Sequence, residues 1–153
     1  MRYLLYMGSG IGDFALILPM ARRIKLFDKN AYITAFSRCD SKRFLVSEQL
    51  FVLQEWIDKI GYYSVEEPFH NIKFLYDLGL EKYDYGIRIS YVDNKYVSKW
   101  PNVIMRIMAK RSVGMNLKYK PNFKYDYAID FLPQGNFYQQ SLDLLSTLGI
   151  FRC

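Results

Sequence analysis

Between Arg2 and Ile24 the sequence changes its period, and three glycines mark the change. Arg2–Met7 (RYLLYM) is a short apolar run suited to a strand buried in a sheet. From Phe14 onward, apolar residues recur at helical spacing: Phe14, Ile17, Leu18, Ala21 and Ile24 share one face. Gly8, Gly10 and Gly12 lie between, where a strand ends and a helix begins. In an open α/β sheet, ligands bind beyond the carboxyl ends of such strands. Glycine there admits positive φ and lets another molecule approach the backbone. The free N–H groups of the following helix's first turn favour an anion.

Three chemistries compete for this turn. The spacing is Gly-x-Gly-x-Gly, and Asp13 stands where the dinucleotide fingerprint has its last glycine. No Gly-Lys-Ser/Thr ending follows, as a P-loop requires. A carboxylate in the first turn would repel a phosphate seated on those amides, which counts against both nucleotide readings. Asp13 is then a helix cap or a catalytic carboxylate, and the two roles can coexist.

The remaining elements follow from periodicity and turn signals. Ala31–Phe36 reads as a second strand, with Ser37, Arg38 and Asp40 at its carboxyl end, either as an ordinary polar loop or near a ligand. Ser41 to about Ile60 reads as a helix with an imperfect stripe (Leu45, Val52, Trp56, Ile60), ended by Gly61 and followed by a short strand Tyr62–Val65. Pro68 opens a helix with Ile72, Leu75, Tyr76 and Leu80 at helical spacing. Tyr83–Ile89 is the next strand, with Arg88 and Ser90 near its carboxyl end. Pro101 suits a helix's first turn, with Val103, Ile104, Ile107 and Met108 as its buried face. Ser112–Met115 is a short strand and Lys118–Tyr127 an irregular basic loop. Asn136, with Gln139 three residues on, caps a last helix whose stripe is Tyr138, Leu142, Leu145 and Leu148, with Gly149 at its end.

The opening strand, the Gly12–Asp13 pair and Pro19 six residues later resemble the start of family 9 glycosyltransferases, the bacterial heptosyltransferases of lipopolysaccharide synthesis. Proline inside a helix removes a hydrogen bond and bends the axis, so Pro19 at the family's position adds to the resemblance. Tyr83–Ile89 (YDYGIRI) is similar to the family's Tyr-Asp strand. Ala109–Gly114 partly matches its Ala-x-x-Arg-x-Gly segment, with Ser112 in the Arg position and Arg111 one place early. NFYQQSLDLLSTLGI resembles the closing helix of the family's first domain, with Asn136, Phe137 and Tyr138 where a His is frequent.

The resemblance implies an α/β, Rossmann-like, mostly parallel sheet with helices on both faces, the first half of a GT-B fold. Residues 1–153 would be a single acceptor-type domain, with the donor-binding domain absent from them. Asp13 would be the general base, and Gly10, Gly12, Arg38, Arg88 and Ser90 are candidate acceptor contacts. Transfer would invert the anomeric centre without a metal. A sugar nucleotide of the ADP-heptose type is expected only with a donor domain, so no cofactor is assigned to this chain and activity alone is not expected. The alternative is a non-catalytic binding module, or the remnant of a truncated gene, with a basic surface.

Composition sets the remaining bounds. At 153 residues, 51% hydrophobic and 24% charged, one globular domain is the natural count. No apolar run reaches about 18 residues, no secretory leader pattern opens the chain, and the two cysteines, Cys39 and Cys153, fit a reducing cytoplasm. His70, the one histidine, has no cysteine or second histidine with which to bind a metal. Residues 1–93 balance 12 Lys/Arg against 12 Asp/Glu, whereas Asn94–Tyr125 hold eight cations and no acid. Such a segment is either a solvated surface or an attractor of phosphate groups, anionic lipid or nucleic acid. The partners expected are an anionic saccharide or glycolipid acceptor, a separate chain carrying the donor domain, and peripheral contact with an anionic membrane at its cytoplasmic face. Nucleic acid is disfavoured, because no reading motif accompanies the charge.

Overall fold

Leu4 and Leu5 are adjacent in sequence and both are fully buried, so the first strand has core on each side. The computed structural model describes residues 1–8, 11–89 and 93–150. In it β1 (Arg2–Tyr6) lies between β2 (Tyr32–Arg38) and β4 (Tyr83–Arg88). With β3 (Lys59–Tyr63), β5 (Ala109–Asn116) and β6 (Tyr127–Asp130) they make one sheet of order β3-β2-β1-β4-β5-β6, parallel at every pairing.

The chain winds first to one side of β1 and then to the other, and right-handed crossovers put the two sets of helices on opposite faces. On one face Phe14, Ile17, Ala21 and Ile24 of α1 (Ile11–Phe27), Phe44 of α2 (Ser41–Phe51) and Leu144 and Leu145 of α5 (Phe137–Ser146) share a core with Leu5, Ile33, Ile87 and Val113. On the other, Phe74 and Leu78 of α3 (Pro68–Glu81) and Ile104 and Met105 of α4 (Trp100–Met108) pack on Leu4, Phe36 and Tyr83. The doubly wound, Rossmann-like architecture expected from the sequence is the one found. No helix among the described residues is long and apolar enough to cross a membrane.

Several boundaries differ from the sequence reading. The second helix ends at Phe51, and Leu45 and Val52 of its expected stripe are exposed. Gln54 closes the turn that follows: its Oε1 accepts from the N–H groups of Trp56 and Ile57, and its Nε2 donates to the Phe51 and Ile57 carbonyls. The chain thus enters β3 at Lys59, and Gly61 lies inside that strand, where a Cβ would come within 2.5 Å of the Phe74 ring. β2 runs on to Arg38, and Asp40 caps α2 by accepting from Arg43 N at 2.8 Å. In α3 and α4 the helices form as expected, yet Ile72, Tyr76, Leu80 and Ile107 face outward while Phe74, Leu78 and Met105 go inside. β6 begins at Tyr127, the last residue of the loop read from the sequence, and runs on through Asp130, a stretch for which the sequence reading has no element. Asn136 does cap α5, through Gln139 N at 3.1 Å, and Gly149 ends it with φ +77°.

Candidate functional site

Parallel pairing brings the ends of β1, β2 and β4 into one row. Tyr6 is in register with Phe36 on one side and Arg88 on the other, Arg38 with Tyr63, and Arg88 with Gly114. Beyond β1 the chain turns at Gly8, whose φ is +74°, and α1 begins at Ile11. Asp13 is the third residue of the helix, so any capping it does comes from inside the first turn and not from the N-cap position. Its side chain folds back over Gly8, where a Cβ would lie 2.5 Å from both Asp13 Cγ and Oδ2. Glycine at position 8 is therefore demanded twice, by backbone sign and by the carboxylate above it. At Gly12 a Cβ would meet no heavy atom within 4 Å, so the first turn of α1 borders open space.

Tyr6 ties three of the sequence-derived candidates together. Burial raises its phenol pKa, the charges of Arg88 and Arg38 draw it down, and Asp13 and Cys39 raise it. Asp13, Arg38 and Arg88 thus all act electrostatically on one tyrosine at the carboxyl edge of the sheet. Arg38, half-buried, also acts on Tyr63, whose pKa is raised mainly by burial. The Tyr63 hydroxyl lies near Ser98 without reaching hydrogen-bond geometry.

Arg88 is only 3% exposed. Its guanidinium sits between the rings of Tyr6 and Phe123, at 5.4 and 5.2 Å from their centroids. Nη1 donates to the Ser98 carbonyl at 2.8 Å and to Asn102 Oδ1 at 2.6 Å, and Nε is buried with no partner among the described residues. Asn102 in turn donates to the Tyr125 hydroxyl at 3.0 Å, and Tyr125 covers Gly114, where a Cβ would strike its ring. Burial lowers the Arg88 pKa, with the neighbouring tyrosines opposing, yet a guanidinium stays charged in proteins. This fixed, buried cation lies at the carboxyl end of β4 and ties the segments at Ser98, Asn102 and Phe123 to that strand.

Gly10 and Ser90, two of the candidate acceptor contacts, lie outside the described residues, as does Cys153. His70 is structural: Nε2 pairs with the Tyr62 carbonyl at 2.8 Å and the imidazole stacks on the Tyr62 ring at 4.0 Å. No metal-binding group of His, Cys, Asp or Glu occurs among the described residues. Much of the basic segment is tied down: Lys110 pairs with Asp84 at 2.8 Å, Arg111 with the Tyr127 hydroxyl at 2.6 Å, and the N–H groups of Lys118 and Tyr119 donate to Asp93 at 2.6 and 3.0 Å. Grooves of about 440, 470 and 350 Å³ lie elsewhere, and none is lined by Asp13, Arg38 or Arg88. The site is an open sheet edge carrying a carboxylate, two cations and an aromatic floor. Tyr6, Asn102 and Tyr125 were not singled out from the sequence, because their partners are far along the chain.

No family model matches the sequence, and no curated protein matches it. Solved structures do match the fold, among them heptosyltransferases and a family 9 glycosyltransferase. The chain is similar to E. coli heptosyltransferase WaaC with ADP, at 14% identity and a TM-score of 0.72 over 99% of this chain and 48% of that one. It is also similar to E. coli ADP-heptose LPS heptosyltransferase II, at 12% identity and 0.70 over 94% and 40%, and to the family 9 glycosyltransferase of Veillonella parvula, at 17% and 0.67 over 97% and 41%. The fold is heptosyltransferase-like, and the chain spans about half the length of the structures it matches.

Proposed function

We propose that these residues form the acceptor-binding half of an inverting, sugar-nucleotide-dependent glycosyltransferase of the heptosyltransferase type. The observation that carries the reading is Asp13, seated on Gly8 at the first turn after the central strand, with Arg38 and Arg88 at the carboxyl ends of the two strands that flank it. In the reaction the Asp13 carboxylate takes the proton of an acceptor hydroxyl as its oxygen bonds to the anomeric carbon of the donor. The bond from that carbon to the nucleoside diphosphate breaks, and the diphosphate leaves with the electron pair. General-base help of this kind is worth about 10²–10⁴-fold. Arg38 and the buried charge of Arg88 favour an acidic or phosphorylated saccharide, with Gly10, Gly12 and Ser90 as further contacts. The donor, an ADP-sugar by analogy with the ligands of WaaC, is held by a donor-binding half that these residues do not supply, whether on the same polypeptide or on a partner. Work takes place in the cytoplasm at the inner membrane face, where a glycolipid acceptor resides.

The test is a titration of the isotope-labelled chain with a phosphorylated saccharide, read by amide NMR. The expected perturbations map to Gly8, Gly12, Asp13 and Arg38, and the chain alone turns over no sugar nucleotide because a base without a positioned donor has nothing to act on. Perturbations confined to other faces would overturn the acceptor assignment, and sustained glycosyl transfer by residues 1–153 alone would overturn the division into halves. The alternative is a binding module without catalysis. It predicts saccharide binding and no turnover even with a donor half present.

A further inference from the structure

The helical stripe that locates α3 in the sequence is on the outside of the folded chain. Phe74 and Leu78 are buried, whereas Phe69 is 87% exposed and Ile72, Tyr76 and Leu80, at successive turns along the same side, are exposed with it. α4 repeats the pattern, with Ile104 and Met105 inside and Ile107 71% exposed. The helices lie side by side: a Cβ at Gly79 would stand 3.8 Å from Met108 Sδ, and a groove of about 350 Å³ between them is lined by Leu75, Trp100, Val103 and Ile107. Leu75 is one step round the helix from Ile72 and Tyr76, so groove and stripe form one apolar face. A folded domain seldom leaves such a face in water without a use for it.

The charge around the face identifies what covers it. α4 lies within the stretch Asn94–Tyr125, which has cations and no acid. Lys99 stands 5.7 Å from the centroid of the Trp100 ring, and Lys95 5.1 Å from that of the exposed Tyr96 just ahead of the helix. Lys73 is exposed beside the α3 stripe, with half-buried Asp77 beyond it. Trp, Tyr and Lys bordering an apolar face are the side chains that settle at the boundary of water and lipid, rings at headgroup level and ammonium groups outward. A second copy is a poorer occupant, because a two-fold contact sets a patch against itself and would oppose these cations to one another. We propose that the outer face of α3 and α4 docks on an anionic phospholipid surface. This deepens the membrane part of the proposed function and does not depend on the role of Asp13.

Flotation of the purified chain with phosphatidylcholine vesicles, with and without phosphatidylglycerol, tests the proposal. The chain should float with the anionic vesicles and not the neutral ones, and added salt should weaken the association. Ile72→Glu with Ile107→Glu should lower vesicle partitioning about tenfold or more, and Lys95→Glu with Lys99→Glu should remove the preference for anionic lipid. Leu26→Glu, on the exposed side of α1, and Asp13→Asn should float like the wild type, so loss of docking is read separately from loss of catalysis. Circular dichroism confirms that each variant is folded. Failure to float with anionic vesicles, or unchanged flotation of the folded Ile72→Glu/Ile107→Glu variant, would overturn the proposal. So would self-association that these substitutions abolish in a chain that ignores vesicles.

Discussion

At Gly8 a single hydrogen atom decides where the Asp13 carboxylate stands. A methyl there would meet Asp13 Cγ at 2.5 Å and would have to keep φ at +74°. The left-handed backbone alone costs an alanine about 1–2 kcal/mol, so Gly8→Ala should lower stability by at least that much in urea unfolding. An unchanged midpoint would show that the close approach is not maintained. Three other aspartates have carboxyls held below their ordinary pKa. The amino terminus holds the Asp28 carboxyl below the usual value of 3.8, Lys110 does the same for Asp84, and the Ser112 N–H and hydroxyl do so for Asp126. With the folded-state pKa lowered, the unfolded chain takes up protons first, so this stability is complete above 3.8 and is lost as pH falls through the folded values. Urea midpoints should fall below about pH 4, and Asp126→Asn should make that fall shallower; an identical pH profile would mean that Asp126 contributes nothing.

Among the elements, α2 depends on a side chain for its end. Gln54 makes four hydrogen bonds across the turn to β3. Bonds of this kind are worth about 0.5–1.5 kcal/mol each and are not additive, so Gln54→Ala should cost about 1–3 kcal/mol and speed amide exchange at Trp56 and Ile57. Unaltered exchange there would assign the turn to the backbone alone. Nothing local in the sequence marks this turn, and the apolar stripe continues to Ile60. β1, α1 and α5 were legible because the burial of each has a single meaning: apolar on both sides, on one stripe, or capped by Asn136. α3 and α4 are apolar on two sides, and periodicity does not say which side faces the sheet. β6 was hidden because YAID is short and follows a basic, aromatic loop. At the site, Asp13 is readable from the Gly-Asp pair, whereas the surroundings of Arg88 come from Ser98 and Asn102 on the β4–β5 crossover and from Phe123 and Tyr125 on the β5–β6 connection, which only the folded sheet brings together.

On the scale of the whole molecule, a parallel sheet presents its carboxyl edge as an open shelf: Asp13 at the centre, Arg38 to one side, Arg88 to the other. A base at that position would work only against a donor held above it, and the chain spans about half the length of each matched heptosyltransferase-like structure. The outer face of α3 and α4 is a separate surface, so membrane contact and chemistry need not compete for the same residues. The central claim is that Asp13 is a base and not merely a structural group. Asparagine keeps the shape and the side-chain oxygen but has no appreciable proton affinity. The most direct measurement is therefore turnover and melting temperature of Asp13→Asn on the same preparations, with the chain joined to a donor-binding half. Stability should change by no more than about 1 kcal/mol, and turnover should fall about 10²-fold or more with acceptor binding largely intact. Unchanged turnover in a folded Asp13→Asn variant would contradict the account.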